Sequence, residues 1–138
     1  MSFLTAFQIS ASALSAERER VNLATSNLAN AESTRSADGG PYRRLDPVFE
    51  AVPLDANPTA DGAVGVHVKQ VVADQTPGHR VYTPGHPDAD ADGFLTLPNV
   101  DPVHEIVNLM SASNAFAANA SAIETLKTMA QRALDIGQ

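Results

Sequence analysis

The chain has 138 residues, a formal charge of −7, and neither cysteine nor tryptophan. That length suits one domain with appendages, and nine basic against sixteen acidic residues argue against a nucleic-acid binder, which carries a basic footprint. The absent cysteines exclude disulfides, thiolate catalysis and cysteine-based zinc sites, while 43% hydrophobic residues with only 5% aromatics leave a thin core rich in alanine.

The chain begins with an arm that contains no proline or glycine before Gly39 and sums to zero charge over residues 1–37. Phe7, Leu14, Val21 and Leu28 recur at intervals of seven, a narrow apolar seam that predicts a helix over about 3–31. At ~1.5 Å per residue such a helix is on the order of 45 Å long, more than the middle of the chain can cover. No charge occurs from Met1 to Ala16, yet Gln8, Ser10 and Ser12 interrupt the apolar content and no basic start precedes it. It therefore makes a poor cleaved signal peptide.

All nine prolines and seven of the eight glycines fall between Gly39 and Pro102, and residues 38–102 carry −6 of the charge. Proline and glycine punctuate loops, so this is a turn-rich middle. Tyr42–Phe49, Val64–Val72 and Val81–Tyr82 are short β-rich runs. They are separated by turn signals at Asp38-Gly-Gly-Pro, Asn57-Pro-Thr-Ala-Asp-Gly, Thr76-Pro-Gly and Thr83-Pro-Gly. Asp88, Asp90 and Asp92 followed by Gly93 match the first half of an EF-hand calcium loop, but Asn99 stands where the bidentate glutamate belongs, and Pro87 and Pro98 oppose flanking helices. The plainer reading is an acidic turn ahead of a short strand.

His67, His79, His86 and His104 have no ligand spacing, and no serine pairs with a histidine and a carboxylate in a recognisable pattern. No catalytic residue, metal ligand or cofactor is assigned. Arg18, Arg20, Arg43 and Arg44 are offset by Glu17, Glu19 and Asp46, as salt-bridge partners at an interface or on a solvated face.

The last arm mirrors the first. Leu109, Phe116, Ile123 and Ala130 recur at sevens, and no charge falls between Ile106 and Ile123. Asn108, Ser111, Ser113, Asn114, Asn119 and Ser121 make that run too polar for a membrane span. Asn99 or Asp101, with Pro102 and Glu105 behind it, forms a helix start, and Gly137 a stop, predicting a helix over about 103–135. Both helices carry uncharged Ala/Ser/Asn faces, which suit burial among close-packed helices. The fold class is α+β: an N-terminal arm (1–37), a small β-rich middle (38–102) and a C-terminal arm (103–138).

Particular residues go further. Leu14-Ser-Ala-Glu-Arg-Glu-Arg-Val-Asn22 followed by Ser26, Asn27, Leu28, Ala29, Asn30 and Ala31 resembles the N-terminal signature of the bacterial flagellar rod and hook family. Gly39-Gly40-Pro41-Tyr42-Arg-Arg44, the run Pro84–Gly93 containing Asp90, Asp92 and Gly93, and Pro98-Asn-Val-Asp101 resemble its proximal-rod members. So do Met110-Ser-Ala-Ser113, Ala118-Asn119 and Leu134-Asp-Ile-Gly137. The segment Asn114–Asn119 departs from the family, which commonly has Arg, Tyr and Gln there, and Val52–Val66 matches little.

The resemblance implies that the terminal helices pair antiparallel as a coiled coil through the two seams and stack with neighbours into an axial tube, with the middle outside. It implies a structural subunit of the basal-body rod, part of the drive shaft and export channel, and no enzyme. Implied partners are further copies of the chain, neighbouring rod proteins such as FlgB and FlgF, and the basal-body ring, with no nucleic acid, membrane span or small-molecule substrate. It also implies export without a cleaved signal into a rod spanning the periplasm. Two other readings are a calcium module on Asp88–Gly93 and a periplasmic hydrolase, for which the sequence offers no acid/base pair.

Overall fold

The computed structural model describes residues 3–37, 39–54 and 62–136. The turn expected at 57–61, Asp38 of the turn before Pro41, and the stop at Gly137 lie outside the described residues. In chain order the elements are α1 (Phe3–Ala29), β1 (Leu45–Pro53), β2 (Val64–Ala73), β3 (His79–Tyr82), β4 (Phe94–Leu97) and α2 (Pro102–Ile136).

The two helices are 27 and 35 residues long because nothing inside either breaks the backbone ladder. α1 ends two residues short of the expected limit. The Asn30 side chain donates to the Ser26 carbonyl at 2.9 Å, with the Asn30 backbone N–H on the same oxygen, which satisfies a carbonyl the last turn leaves open. At the start of α2, Asp101 rather than Asn99 is the cap. Its carboxylate accepts the Val103 N–H at 3.0 Å and its carbonyl accepts the Glu105 N–H at 3.0 Å, while Pro102 needs no partner at the first position.

The helices pack antiparallel. Asn27, near the end of α1, meets Glu105 at the start of α2, and the Arg20 guanidinium donates to the Asn108 side-chain oxygen at 2.6 and 3.0 Å. The buried apolar residues between and beside them are few, three alanines and one leucine: Ala16, Leu23, Ala24 and Ala112.

The middle forms two antiparallel ribbons, β1–β2 and β3–β4. A register shift between Val48 and Phe49 leaves Lys69 without a cross-strand counterpart, a bulge that twists the ribbon. Pro47 and Pro53 sit in β1, where a two-stranded ribbon leaves an unpaired edge that tolerates the missing N–H. β2 rests directly on α1: the Val66 N–H donates to Ser12 Oγ at 3.1 Å, while that hydroxyl donates to the Ile9 carbonyl at 2.8 Å. Gly65 permits this approach, since a Cβ there would meet Ser12 Oγ at 3.0 Å and the Leu54 side chain at 2.9 Å. In the second ribbon the Tyr82 and Phe94 rings stack edge to face at 5.3 Å, with the Arg80 guanidinium 4.7 Å from the Phe94 ring centre.

The strand expected from Tyr42 begins instead at Leu45 and runs on to Pro53. Tyr42 and Arg44 are held mainly by the side chains of Asn27, Asn99 and Glu105, and the Arg44 carbonyl also by the Asp74 N–H just past β2. Among the described residues no helix is long and apolar enough to cross a membrane.

Candidate functional site

The best-defined cluster lies where α1 ends, β1 begins and α2 begins, and Asn27 is its centre. This residue is 1% exposed and uses all its side-chain capacity. Its amide nitrogen donates to the Leu45 carbonyl at 2.9 Å and to Glu105 Oε2 at 3.2 Å. Its oxygen accepts the Leu45 N–H and the Tyr42 hydroxyl, each at 2.9 Å. Asn27 thus acts as a substitute strand for the first residue of β1, pairing with both of its backbone groups.

Glu105 is fully buried. Its second oxygen accepts Arg44 Nε at 2.5 Å, and Arg44 also pairs with Asp46. Burial opposes the charge on Arg44, but the bonds and charges of Glu105 and Asp46 outweigh it and raise its pKa above the ordinary arginine value. Arg44 therefore stays charged and neutralises the acid it meets. Its backbone N–H donates to Asn99 Oδ1 at 2.9 Å, Asn99 Nδ2 reaches the Asp74 carbonyl at 3.3 Å, and the Asp74 N–H returns to the Arg44 carbonyl at 2.8 Å. Among the described residues no buried side-chain nitrogen or oxygen lacks a partner, so the cluster meets the condition for holding charge in an interior.

A second joint fastens the segment after α1 to the acidic turn. Thr34 Oγ1 donates to Asp88 Oδ2 at 2.8 Å, and Arg35 pairs with Asp88 Oδ1 at 2.5 Å. The Thr34 hydroxyl is the main cause that holds the Asp88 carboxyl below its usual range, against some desolvation and with help from Arg35 and His86. Asp90 Oδ1 accepts the N–H groups of Phe94 at 2.8 Å and Asp92 at 3.0 Å, and its other oxygen pairs with Arg80 at 2.6 Å. The Phe94 N–H is the main reason this carboxyl is also lowered. Gly93, at φ +83, closes the turn. These carboxylates build the turn ahead of β4, and among the described residues no three His, Asp or Glu side chains group as a metal site.

The remaining expected site residues are distributed as follows. Leu14, Val21, Leu28, Leu109, Ile123 and Ala130 are half-buried, while Phe7 and Phe116 are 39% and 38% exposed. Val21 and Phe116 line a shallow groove of about 260 Å³ with Arg18 and Ser113. Ser26 Oγ lies 3.4 Å from the Tyr42 hydroxyl, Ala29 closes α1, and the Gly40 carbonyl accepts the Ser36 N–H at 2.6 Å beside the half-buried Pro41. Asn119 folds back onto the Ala115 carbonyl at 2.9 Å.

Arg44 stands in the sequence as a surface or interface cation and Glu105 as a helix-start acid, and their contact is not visible there. The usable signal was phase: Glu105 falls four residues before Leu109, on the face that Ala112 and Phe116 continue.

A model described as flagella basal body rod protein matches residues 7–35, which hold Asn27. A second, flagellar basal body rod FlgEFG protein C-terminal, matches residues 91–136, which hold Glu105. The flagellar basal-body rod protein FlgC of Salmonella typhimurium is 46% identical over 138 residues, covering all of both chains. The chain belongs to the FlgC family of flagellar basal-body rod proteins. FlgC of Yersinia enterocolitica, at 41% over the whole of both chains, and of Bacillus subtilis, at 37% over 98% of this chain and all of its own, extend the match. The family is structural rather than enzymatic, and the chain is a structural subunit of the basal-body rod.

Proposed function

We propose that this subunit builds the proximal rod by helical stacking of its paired helices. In this reading the two arms, residues 1–37 and 103–138, form the wall of the axial drive shaft and export channel. Residues 38–102, which carry most of the negative charge, face away from the axis. The partners are other copies of the chain, neighbouring rod proteins such as FlgB and FlgF, and the basal-body ring. The subunit acts in the periplasm, which it reaches through the flagellar type III apparatus without a cleaved signal.

One observation carries the reading: the outer face of α2. Val103, Val107 and Met110 are 70%, 61% and 61% exposed, and the helix has no charge from Ile106 to Ile123. A solvated helix places charge on its outer face, and a contiguous exposed apolar patch marks a protein contact. Helical assembly is heterologous and non-closing, so each subunit presents unlike faces in several directions. Small uncharged side chains allow close approach without like-charge repulsion.

The test is Met110→Glu in cells that lack the native gene. Normal protein levels, absence from purified basal bodies and loss of swimming are the expected outcome. Wild-type incorporation would overturn the assignment of this face.

A further inference from the structure

The apolar seams of the helix pair do not by themselves choose an alignment. Phe7, Leu14, Val21 and Leu28 repeat at sevens on α1, and Leu109, Phe116, Ile123 and Ala130 repeat at sevens on α2. Sliding one helix along the other by one repeat, about 10 Å at ~1.5 Å per residue, again sets apolar residues against apolar residues. None of these seam residues is fully buried, and the slide displaces only four buried apolar residues of the helices, Ala16, Leu23, Ala24 and Ala112.

The polar residues do not repeat. One slide brings Glu105 level with Arg20 and Asn27 level with Pro98; the other brings Asn27 level with Ala112 and Glu105 level with Thr34, beyond α1. Both break the bond between Asn27 and Glu105. Both also strain the contact of Glu105 with Arg44, because Asn27 grips both backbone groups of Leu45 on the α1 side while Asn99, ahead of α2, accepts the Arg44 N–H. Losing one partner of a buried charge costs far more than a shifted apolar contact.

We infer that Asn27, Glu105 and Arg44 form a register lock. The seams hold the helices together, and the lock selects one alignment among those the seams allow. A single buried polar residue sets register in coiled coils by the same means. The lock also determines which faces of α1 and α2 are presented side by side. It concerns pairing within one chain and stands independently of the rod assignment.

The chain's lack of cysteine makes the test direct. Spin labels are attached to the pair Gln8→Cys and Val103→Cys, both at exposed positions of the two helices. With Asn27 level with Glu105, the labelled positions are offset along the axis by about 31 Å; a one-repeat slide moves that to about 21 or 42 Å. The parent should show one narrow distance. The double variant Asn27→Leu with Glu105→Leu, which fills the site with apolar groups, should keep its helix signal and gain a second population displaced by about 10 Å. An unchanged single distance in that variant, or a parent with no narrow distance, overturns the lock. If circular dichroism shows the double variant to be unfolded, Glu105→Gln decides by the same criterion: a second population supports the lock and an unchanged distance overturns it.

Discussion

At one end of the helix pair, Asn27 and Glu105 are all but sealed from solvent and every side-chain polar atom they bury has a partner. At the other end Phe3, Leu4, Leu134 and Ile136 stand in the open, and past Ala112 no described residue of α2 is buried. Burial in this chain is therefore concentrated where the polar groups are, and most large apolar side chains of the helices remain exposed. The contrast teaches that the two ends answer to different partners. The junction is completed by the chain's own side chains, whereas the rest of the helix surface is, in the reading proposed above, what neighbouring subunits cover.

The sharpest way to break that comparison is to charge the seam. Leu14→Asp and Phe116→Asp should each abolish rod incorporation and swimming, since assembly would bury an unpaired carboxylate. Phe116 is already 38% exposed in the single subunit, so its variant should still fold, with a lowered melting point. Normal swimming in both variants would contradict the assignment of the seam to assembly.

Arg44→Ala attacks the other end. It leaves the fully buried Glu105 carboxylate without its cation, and urea unfolding of the free subunit should show a loss of about 3–5 kcal/mol, the usual effect of removing one partner of a buried pair. A loss below ~1 kcal/mol, the scale of an exposed pair, would mean that Arg44 does not balance a buried charge.

A smaller effect is expected in the second ribbon. A Cβ at Gly78 would meet the Leu97 carbonyl oxygen at 2.0 Å, so Gly78→Ala must move backbone rather than a side chain. Overpacking of this kind costs about 1–3 kcal/mol. Faster amide exchange at Phe94–Leu97, with α1 and α2 unchanged, is the expected pattern; a spread of the effect into the helices would show that the ribbon is coupled to the junction.

The smallest effect concerns acid. Asp88 has a lowered carboxyl pKa in the folded state, caused first by the Thr34 hydroxyl. A carboxyl lowered on folding stabilises fully above its unfolded value of ~3.9, and that stabilisation disappears as pH falls through the lower folded value. Amide protection around Thr34 and Arg35 should hold from pH 7 to 5 and fall only in stronger acid, and Asp88→Asn should remove the dependence. Because Arg35 is 70% exposed, the change should stay local.

Much of this molecule is legible from local rules. Helices expected over 3–31 and 103–135 occupy 3–29 and 102–136, since proline and glycine placement, a capping aspartate and a seven-residue repeat act within a few turns of chain. The acidic turn ahead of a short strand was readable in the same way, from Asp90 and Gly93. The β-rich run Tyr42–Phe49 misled at its start, because composition says nothing of the side chains that capture Tyr42 and Arg44. Arg44 and Glu105 were visible as charges but not as a pair.

The chain's sequence by itself determined the extents of the two helices, their uncharged faces and the concentration of acid in the middle. Only the tertiary structure decided which polar residues meet. Asn27 and Glu105 are 78 positions apart and Arg44 and Glu105 are 61 apart, so their contacts exist only once the helices have taken an alignment. A repeat of seven leaves that alignment open, because apolar contact is non-directional and satisfied by any apolar neighbour. A buried carboxylate is satisfied only by donors at hydrogen-bond distance, and Asn27 and Arg44 together meet Glu105 only at the observed register.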